Sequence, residues 1–283
     1  MNPVVVVGNT VLDVCVDVDV TELPAGRQIP AAVSFQAGGG LPNVGMDLVS
    51  LGTEVRAVGA IGDDPVGSML GAMLPWPLVR CTGATTEVSV VAARGDRTIV
   101  NQQGSASVTL DEATALVPDG ALVVMAYLNC SAVAPGDTVA FLASVRDRSA
   151  GIVAGMNGVF SEARRTVALE AMPYVDLLVL NDIEARWLTG RESVDDVLSE
   201  ASKVVPAVIV TRAAQGAVYV EGTLRKDFPA EPVAAARSLG AGDALLAGVT
   251  AALAAGAEPV DACAHGSAVA ARGVRREFDR STT

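Results

Sequence analysis

Histidine is nearly missing from this chain of 283 residues, which carries only His265. A two-histidine metal site and the HExxH zinc motif are therefore excluded. His265 itself, inside an apolar stretch, reads as a satisfied core or edge residue rather than a catalyst. Lysine is scarce too, confined to positions 203 and 226. No Gly-Lys pair exists, so the GxxxxGK[ST] phosphate loop is absent, and no GxSxG nucleophile elbow is found. Cations are outweighed, 20 Lys and Arg against 32 Asp and Glu, for a net charge of −12. Nucleic-acid affinity depends on clustered cations that neutralise phosphates. The scattered arginines offer no such cluster, and no nucleic-acid partner is expected. Cys15, Cys81, Cys130 and Cys263 are widely spaced without a CxxC pair, so they read as buried free thiols, not a zinc or disulfide framework. The longest apolar run, Ala244 to Ala257, falls short of the roughly 20 residues a membrane helix needs. It reads as a buried helix. The start, Met1-Asn2-Pro3 followed by valines, lacks the charged and cleavable pattern of a signal peptide. A cytoplasmic location with no membrane partner is the expectation.

Apolar residues make up 51 % of the chain and aromatics only 4 %, so the core is built from small and branched side chains. The length fits one domain, or one with a small appendage. Short Val-rich runs alternate with segments of helical period, the pattern of an α/β fold with a parallel sheet covered by helices. Candidate central strands are Val4 to Val7, Val55 to Ala60, Ala121 to Ala126, Gly151 to Ala154, Asp176 to Leu180 and Ala207 to Thr211. Val44, Leu48 and Leu51 give a helix over about 43–51, stopped by Gly52. Asp64 before Pro65 reads as a helix N-cap, and further helices are expected near 182–204 and 242–272. Two stretches break this rhythm: Val11 to Val20 with Ala32 to Gln36, and Glu87 to Ala93 with Arg97 to Gln103 across the turn Gly95-Asp96. Their alternation predicts antiparallel strands with one wet face, a small β lid drawn from about 11–20, 31–36, 87–93 and 97–103. The polar tail from Arg275 to Thr283 is expected to fray.

Three segments carry chemistry. Ser238-Leu239-Gly240-Ala241-Gly242-Asp243 opens directly into the apolar run. Two glycines permit a tight turn there, and the N–H groups of 240–243 can converge on one spot backed by the helix dipole. Asp243 at that spot can take a proton from an attacking hydroxyl while the amides hold a transferred phosphoryl group. The alternative is an Asp that caps a helix after a glycine turn. Gly38-Gly39-Gly40-Leu41-Pro42-Asn43 offers bare backbone followed by an amide side chain, and Asp13 adds a carboxylate. Such a pair suits a polyhydroxylated neutral molecule, although turn and cap chemistry fits as well. Asn181-Asp182-Ile183-Glu184 sets two oxygen ligands three apart, which matches the sparse protein ligation of Mg²⁺ and equally a helix cap. The first strand ends in Gly8-Asn9-Thr10, not GxGxxG, which leaves dinucleotide binding without support.

In order and spacing these segments, together with Val58 to Gly67 and Thr211 to Gly216, resemble the ribokinase-like (PfkB) carbohydrate kinases over nearly the whole chain. The resemblance implies a single ribokinase-like domain over 1–283: a doubly wound, mainly parallel sheet flanked by helices, with a small β lid. It implies ATP as donor, Mg²⁺, and transfer of the γ-phosphoryl group to a hydroxyl of a sugar-like acceptor. Asp243 matches the family's base and Gly240, Ala241 and Gly242 its anion hole. Asp13, Gly39, Gly40 and Asn43 match acceptor positions. Asn181 and Glu184 match the motif that organises Mg²⁺, through water, and Thr211 and Gly216 the nucleotide loop. Glycine at 40, where kinases of phosphorylated sugars carry a basic residue, implies a neutral acceptor. A nucleoside kinase of the same fold is an alternative, but Phe35 is the single aromatic of the lid. A non-catalytic sugar or nucleotide sensor is another, which retention of Asp243 opposes. An exposed lid face allows a homodimer. Arg237 replaces an Asp of the family, Ala213 a Gly, and only Asn157 remains of a Asp-x-Asn-x-Arg motif. A guanidinium has no acceptor atom, so Arg237 argues against a monovalent-cation site.

Overall fold

A computed structural model describes residues 2–17, 26, 28, 30–93, 98–130, 132–134, 136–158, 161–230 and 240–281. The expected lid positions Val18 and Val20, the Gly95-Asp96 turn, and Arg237, Ser238 and Leu239 lie outside them. The chain opens with β1 (Val4–Val7), β2 (Val11–Asp17), β3 (Ala32–Gly38), α1 (Gly40–Ser50), β4 (Val55–Val58), β5 (Ala60–Gly62) and α2 (Pro65–Met73). Next come β6 (Val79–Cys81), β7 (Glu87–Ala93), β8 (Thr98–Gln102), α3 (Leu110–Leu116), β9 (Leu122–Met125), α4 (Thr138–Arg146), β10 (Gly151–Ala154) and α5 (Glu162–Ala171). The remainder is β11 (Leu177–Asn181), α6 (Asp182–Thr189), α7 (Val194–Ala201), β12 (Ala207–Thr211), β13 (Ala217–Glu221), β14 (Leu224–Phe228), α8 (Ala241–Ala254) and α9 (Pro259–Ser281).

The main sheet has the order β14-β13-β12-β11-β10-β9-β1-β4. It is parallel from β4 to β12, and an antiparallel hairpin, β13 with β14, forms its other edge. Its central strands are apolar at every position because both faces are covered. Val5, Val7, Val123 and Ile152 join Phe141, Leu142, Leu188 and Leu198 of α4, α6 and α7 on one face. Val4, Val6, Val124 and Val153 meet Leu41, Val44, Leu48, Leu245 and Val249 of α1 and α8 on the other. Fully burying side chains of this kind contributes roughly 1.5–3 kcal/mol each, and the two cores fix the sheet whose strand ends carry the site. The fold is doubly wound and mainly parallel, with a separate small sheet.

That second sheet has the order β3-β2-β7-β8. The pairs β2–β3 and β7–β8 are antiparallel, but β2 and β7 run parallel, which the hairpin-like alternation did not foretell. Asp13 is paired with Gln36 and Ser89, and Ser89 with Asn101, so polar residues line up on one face. Val33, Phe35, Val90 and Val100 are exposed, and Phe35 pairs with Val14 and Val100 with Val90, on the opposite face.

Several boundaries depart from the sequence reading. The helix expected over 43–51 begins at Gly40, inside the glycine run, because Pro42 fits a first helical turn that needs no N–H donor there. The strand expected over 55–60 stops at Val58, and Ala60–Gly62 pairs instead with β6. The helix expected over 182–204 is two, parted at left-handed Gly190. The one over 242–272 is likewise two, parted at Gly256 and restarted at Pro259. The tail from Arg275, expected to fray, continues α9 to Ser281. As read from sequence, Asp64 caps α2, accepting from the Gly67 N–H at 2.6 Å, and the four cysteines are free, but only Cys263 is buried while Cys15, Cys81 and Cys130 are part-exposed. His265 is exposed on α9. No helix among the described residues is long and apolar enough to cross a membrane.

Candidate active site

Parallel strands of a doubly wound sheet present their carboxyl ends on one edge, where ligands of such folds bind. Here that edge forms a cleft lined by Ala126 after β9, Gly155 and Met156 after β10, Asn181 and Glu184 at the β11–α6 junction, Thr211 at the end of β12, and Gly242, Asp243 and Leu246 of α8. The fold thus gathers Asp243, Gly242, Asn181, Glu184 and Thr211 around one space. Gly216 closes the short turn after Thr211, where its α-carbon lies against the Phe228 carbonyl.

Helix α8 starts from Gly240, whose φ of 72° is left-handed, and among the described residues no side chain caps the helix. Its first amides are therefore free to meet an anion. Asp243 sits in that first turn. Its Oδ2 accepts from Asn43 Nδ2 at 2.9 Å, and the Tyr127 hydroxyl donates to Oδ1 and Oδ2 at 3.0 and 3.1 Å. Burial pushes the Asp243 carboxyl up to about 6, with the Asp47 and Glu184 carboxylates adding to the rise and the Tyr127 and Asn43 bonds opposing it. An ionised carboxylate accepts both bonds, and a base that titrates near neutrality suits proton abstraction.

Asn43 is placed by the glycine run. Gly39 has a φ of 88°, and a β-carbon there would come within 2.6 Å of the Asn9 carbonyl oxygen, so only glycine fits. The Asn9 side chain in turn accepts from the Gly40 N–H at 2.9 Å. This ties the end of β1 to the start of α1. Asp13 lies across Gly38 and is not among the cleft-lining residues. Beside it, Asn101 Nδ2 donates to Glu87 Oε1 at 2.8 Å and to Ser89 Oγ at 2.9 Å, and Asn9 Nδ2 donates to Glu87 Oε2 at 3.4 Å. A polar network thus links the small sheet to the glycine turn.

Glu184 is 7 % exposed. Its oxygens accept from the N–H groups of Gly158 and Asn181 at 2.9 Å each. Asn181 caps α6 with its side-chain oxygen on Ile183 and Glu184 amides at 3.0 and 2.8 Å. The cap alternative therefore holds for both residues, which form a reciprocal capping box, and Glu184 also lines the cleft. Burial raises the Glu184 carboxyl above its ordinary value despite those bonds. Among the described residues no three His, Cys, Asp or Glu side chains cluster as a metal cage. The Asn129 side chain bonds the Asn157 backbone twice, donating to its carbonyl and accepting from its N–H at 3.1 Å each, so these bonds do not depend on the Asn157 side chain. Tyr127, Asn9 and Glu87 escaped the sequence reading. The position of Tyr127, just past the carboxyl end of a central strand, was the available signal.

A family model described as pfkB family carbohydrate kinase matches residues 1–281. Among curated relatives, fructokinase-1 of Oryza sativa subsp. japonica is 28 % identical over 253 residues, covering 81 % of this chain and 78 % of the relative. A fructokinase of Klebsiella pneumoniae is 27 % identical over 246 residues, 78 % of each chain. Similar solved structures include ribokinase from Giardia lamblia, with a TM-score of 0.80 at 18 % identity over 98 % of this chain and 94 % of that one. Phosphofructokinase-2 from Escherichia coli superposes with a TM-score of 0.79 at 19 % identity over 97 % and 93 %.

Proposed function

The chain belongs to the pfkB family of carbohydrate kinases, and from that footing we propose that it moves the γ-phosphoryl group of ATP to a hydroxyl of a neutral sugar or sugar-like polyol. The observation that carries this reading is the Asp243 carboxylate, set in the first turn of an uncapped helix and held by Asn43 from the glycine-run side. An acceptor hydroxyl bonded to Asp243 gives up its proton to the carboxylate as its oxygen forms the new bond to the γ-phosphorus. The bond from that phosphorus to the bridging oxygen breaks, and ADP leaves. The amides of Gly240, Ala241, Gly242 and Asp243 offset charge on the transferred group. Thr211 and Gly216 hold the nucleotide. Glu184, with Asn181, fits Mg²⁺ held through water, since a buried carboxylate lines the same cleft. Bound there, the ion would supply positive charge beside the nucleotide phosphates.

Asp13, Gly39, Gly40 and Asn43 bind the acceptor, and the small sheet serves as its lid within one domain. No Lys or Arg occurs in β2, β3, β7 or β8, which supports an uncharged acceptor. Phe35 lies on the face away from Asp13, which weighs against a nucleobase platform on that sheet. We further hold that the exposed face with Val33, Phe35, Val90 and Val100 pairs two copies of the chain.

An ADP-release assay over D-fructose, other neutral sugars and nucleosides tests the proposal. Turnover greatest with a neutral sugar is expected. Preference for a nucleoside would replace the sugar reading, and ATP binding without ADP release on any acceptor would contradict the kinase.

A further inference from the structure

Tyr127 stands two residues beyond β9, and none of the roles assigned above uses it. Its ring lies against the backbone of Gly40, where a β-carbon would come within 2.9 Å of Cδ2. Glycine at 40 thus makes room for this ring as well as for an acceptor. The Tyr127 hydroxyl reaches both oxygens of Asp243 and receives Asn43 Nδ2 at 3.5 Å. Burial and the Asp243 charge hold the phenol's own titration well above its ordinary value, so it remains a donor at any working pH.

We propose that Tyr127 is a positioning residue for phosphoryl transfer: its phenol fixes the orientation of the Asp243 carboxylate and favours its ionised form until an acceptor hydroxyl arrives. This rests on the reading of Asp243 as the base. Three kinds of group face that carboxylate: the donors Asn43 of α1 and Tyr127, the anions Asp47 of α1 and Glu184 of α6, and the uncapped amides of α8 itself. A donated bond stabilises the charged form and lowers a carboxylate's pKa, whereas burial and like charges raise it. Without the phenol, only Asn43 and the α8 amides oppose Asp47, Glu184 and desolvation. The plane of the carboxylate is then set by one bond instead of a clamp from two sides.

Tyr127→Phe keeps the ring and its packing on Gly40 and removes only the donor. In protein free of nucleotide and acceptor, ¹³C NMR of the Asp243 carboxyl, assigned by its loss in Asp243→Asn, reads the titration directly. The midpoint is expected to rise by about one pH unit in Tyr127→Phe, the scale of one bond to a charged group. The acid limb of kcat/KM for the best neutral acceptor should rise equally. The rate at pH 5 then falls about tenfold, with KM for ATP and the melting temperature of the Phe variant little changed. An unmoved NMR midpoint overturns the proposal whether or not the protein phosphorylates anything. A raised midpoint with an unmoved acid limb overturns the catalytic role alone. A raised midpoint in a protein that phosphorylates no acceptor contradicts the kinase reading, and the catalytic half of the proposal falls with it.

Discussion

Asn43 and Asp243, separated by 200 positions in the chain, meet at 2.9 Å from amide nitrogen to carboxylate oxygen. Helices α1 and α8, which carry them, pack together on the same face of the main sheet. The glycine run that places Asn43 and the glycine turn that places Asp243 therefore act on one point, and the proposed acceptor site and base form a single unit.

Asp243 is costly to the fold when ionised. Folding raises it from an ordinary 3.8 to about 6, so between those values the native state binds more protons than the unfolded chain. This group's contribution to stability falls as pH rises through that window, and the full cost persists above it. Asp243→Asn should therefore stabilise the protein at pH 8 by about 1–3 kcal/mol and leave it unchanged at pH 4. Chemical denaturation at the two pH values checks this.

Acceptor charge follows from the small sheet and Gly40. With Asp13, Asp17 and Glu87 as the charged groups of its strands and no cation among them, a phosphorylated sugar meets like charge on this sheet. Steady-state kinetics should show kcat/KM at least about tenfold higher for a neutral sugar than for its phosphate ester, one pairing's worth of energy. Preference for the ester contradicts the assignment.

The strands and the glycine turn that opens α8 were legible in the sequence because both are local. Val4 to Val7, Gly151 to Ala154 and Ala207 to Thr211 are short apolar runs bounded by turn residues, and each is a strand with those limits. Glycine next to Asp243 announced a helix start. What the sequence withheld depends on pairing across distance. The parallel match of β2 with β7 leaves no trace in alternation. Tyr127 gains its meaning only once β9 lies near α8. Asn181-x-x-Glu184 was ambiguous because a helix cap and a magnesium motif use the same residue types at the same spacing, and the structure shows the cap bonds of Asn181.

Ala213 holds a backbone conformation that suits glycine better than alanine. The residue has a left-handed φ of 48° at the start of the turn after Thr211. Side chains in that region cost roughly 1–2 kcal/mol, offset in part by the unfolded-chain entropy that glycine adds. Ala213→Gly should raise stability by about 0.5–1 kcal/mol, measurable as a shift of the urea midpoint. A loss of stability would refute the strain.

Arg237 lies outside the described residues, yet its chemistry makes a prediction. A guanidinium offers five donors and no acceptor, so it cannot ligate K⁺ where a carboxylate would. Activity should be independent of K⁺ titrated from zero at constant ionic strength. Strong saturable activation contradicts this.

The central claim, that Asp243 is the base of phosphoryl transfer, is tested most directly by turnover of Asp243→Asn. On the best neutral acceptor with saturating ATP, kcat should fall by about 10²–10⁴-fold while the nucleotide Kd stays at the wild-type value. A variant that keeps near-normal kcat on that acceptor would contradict it.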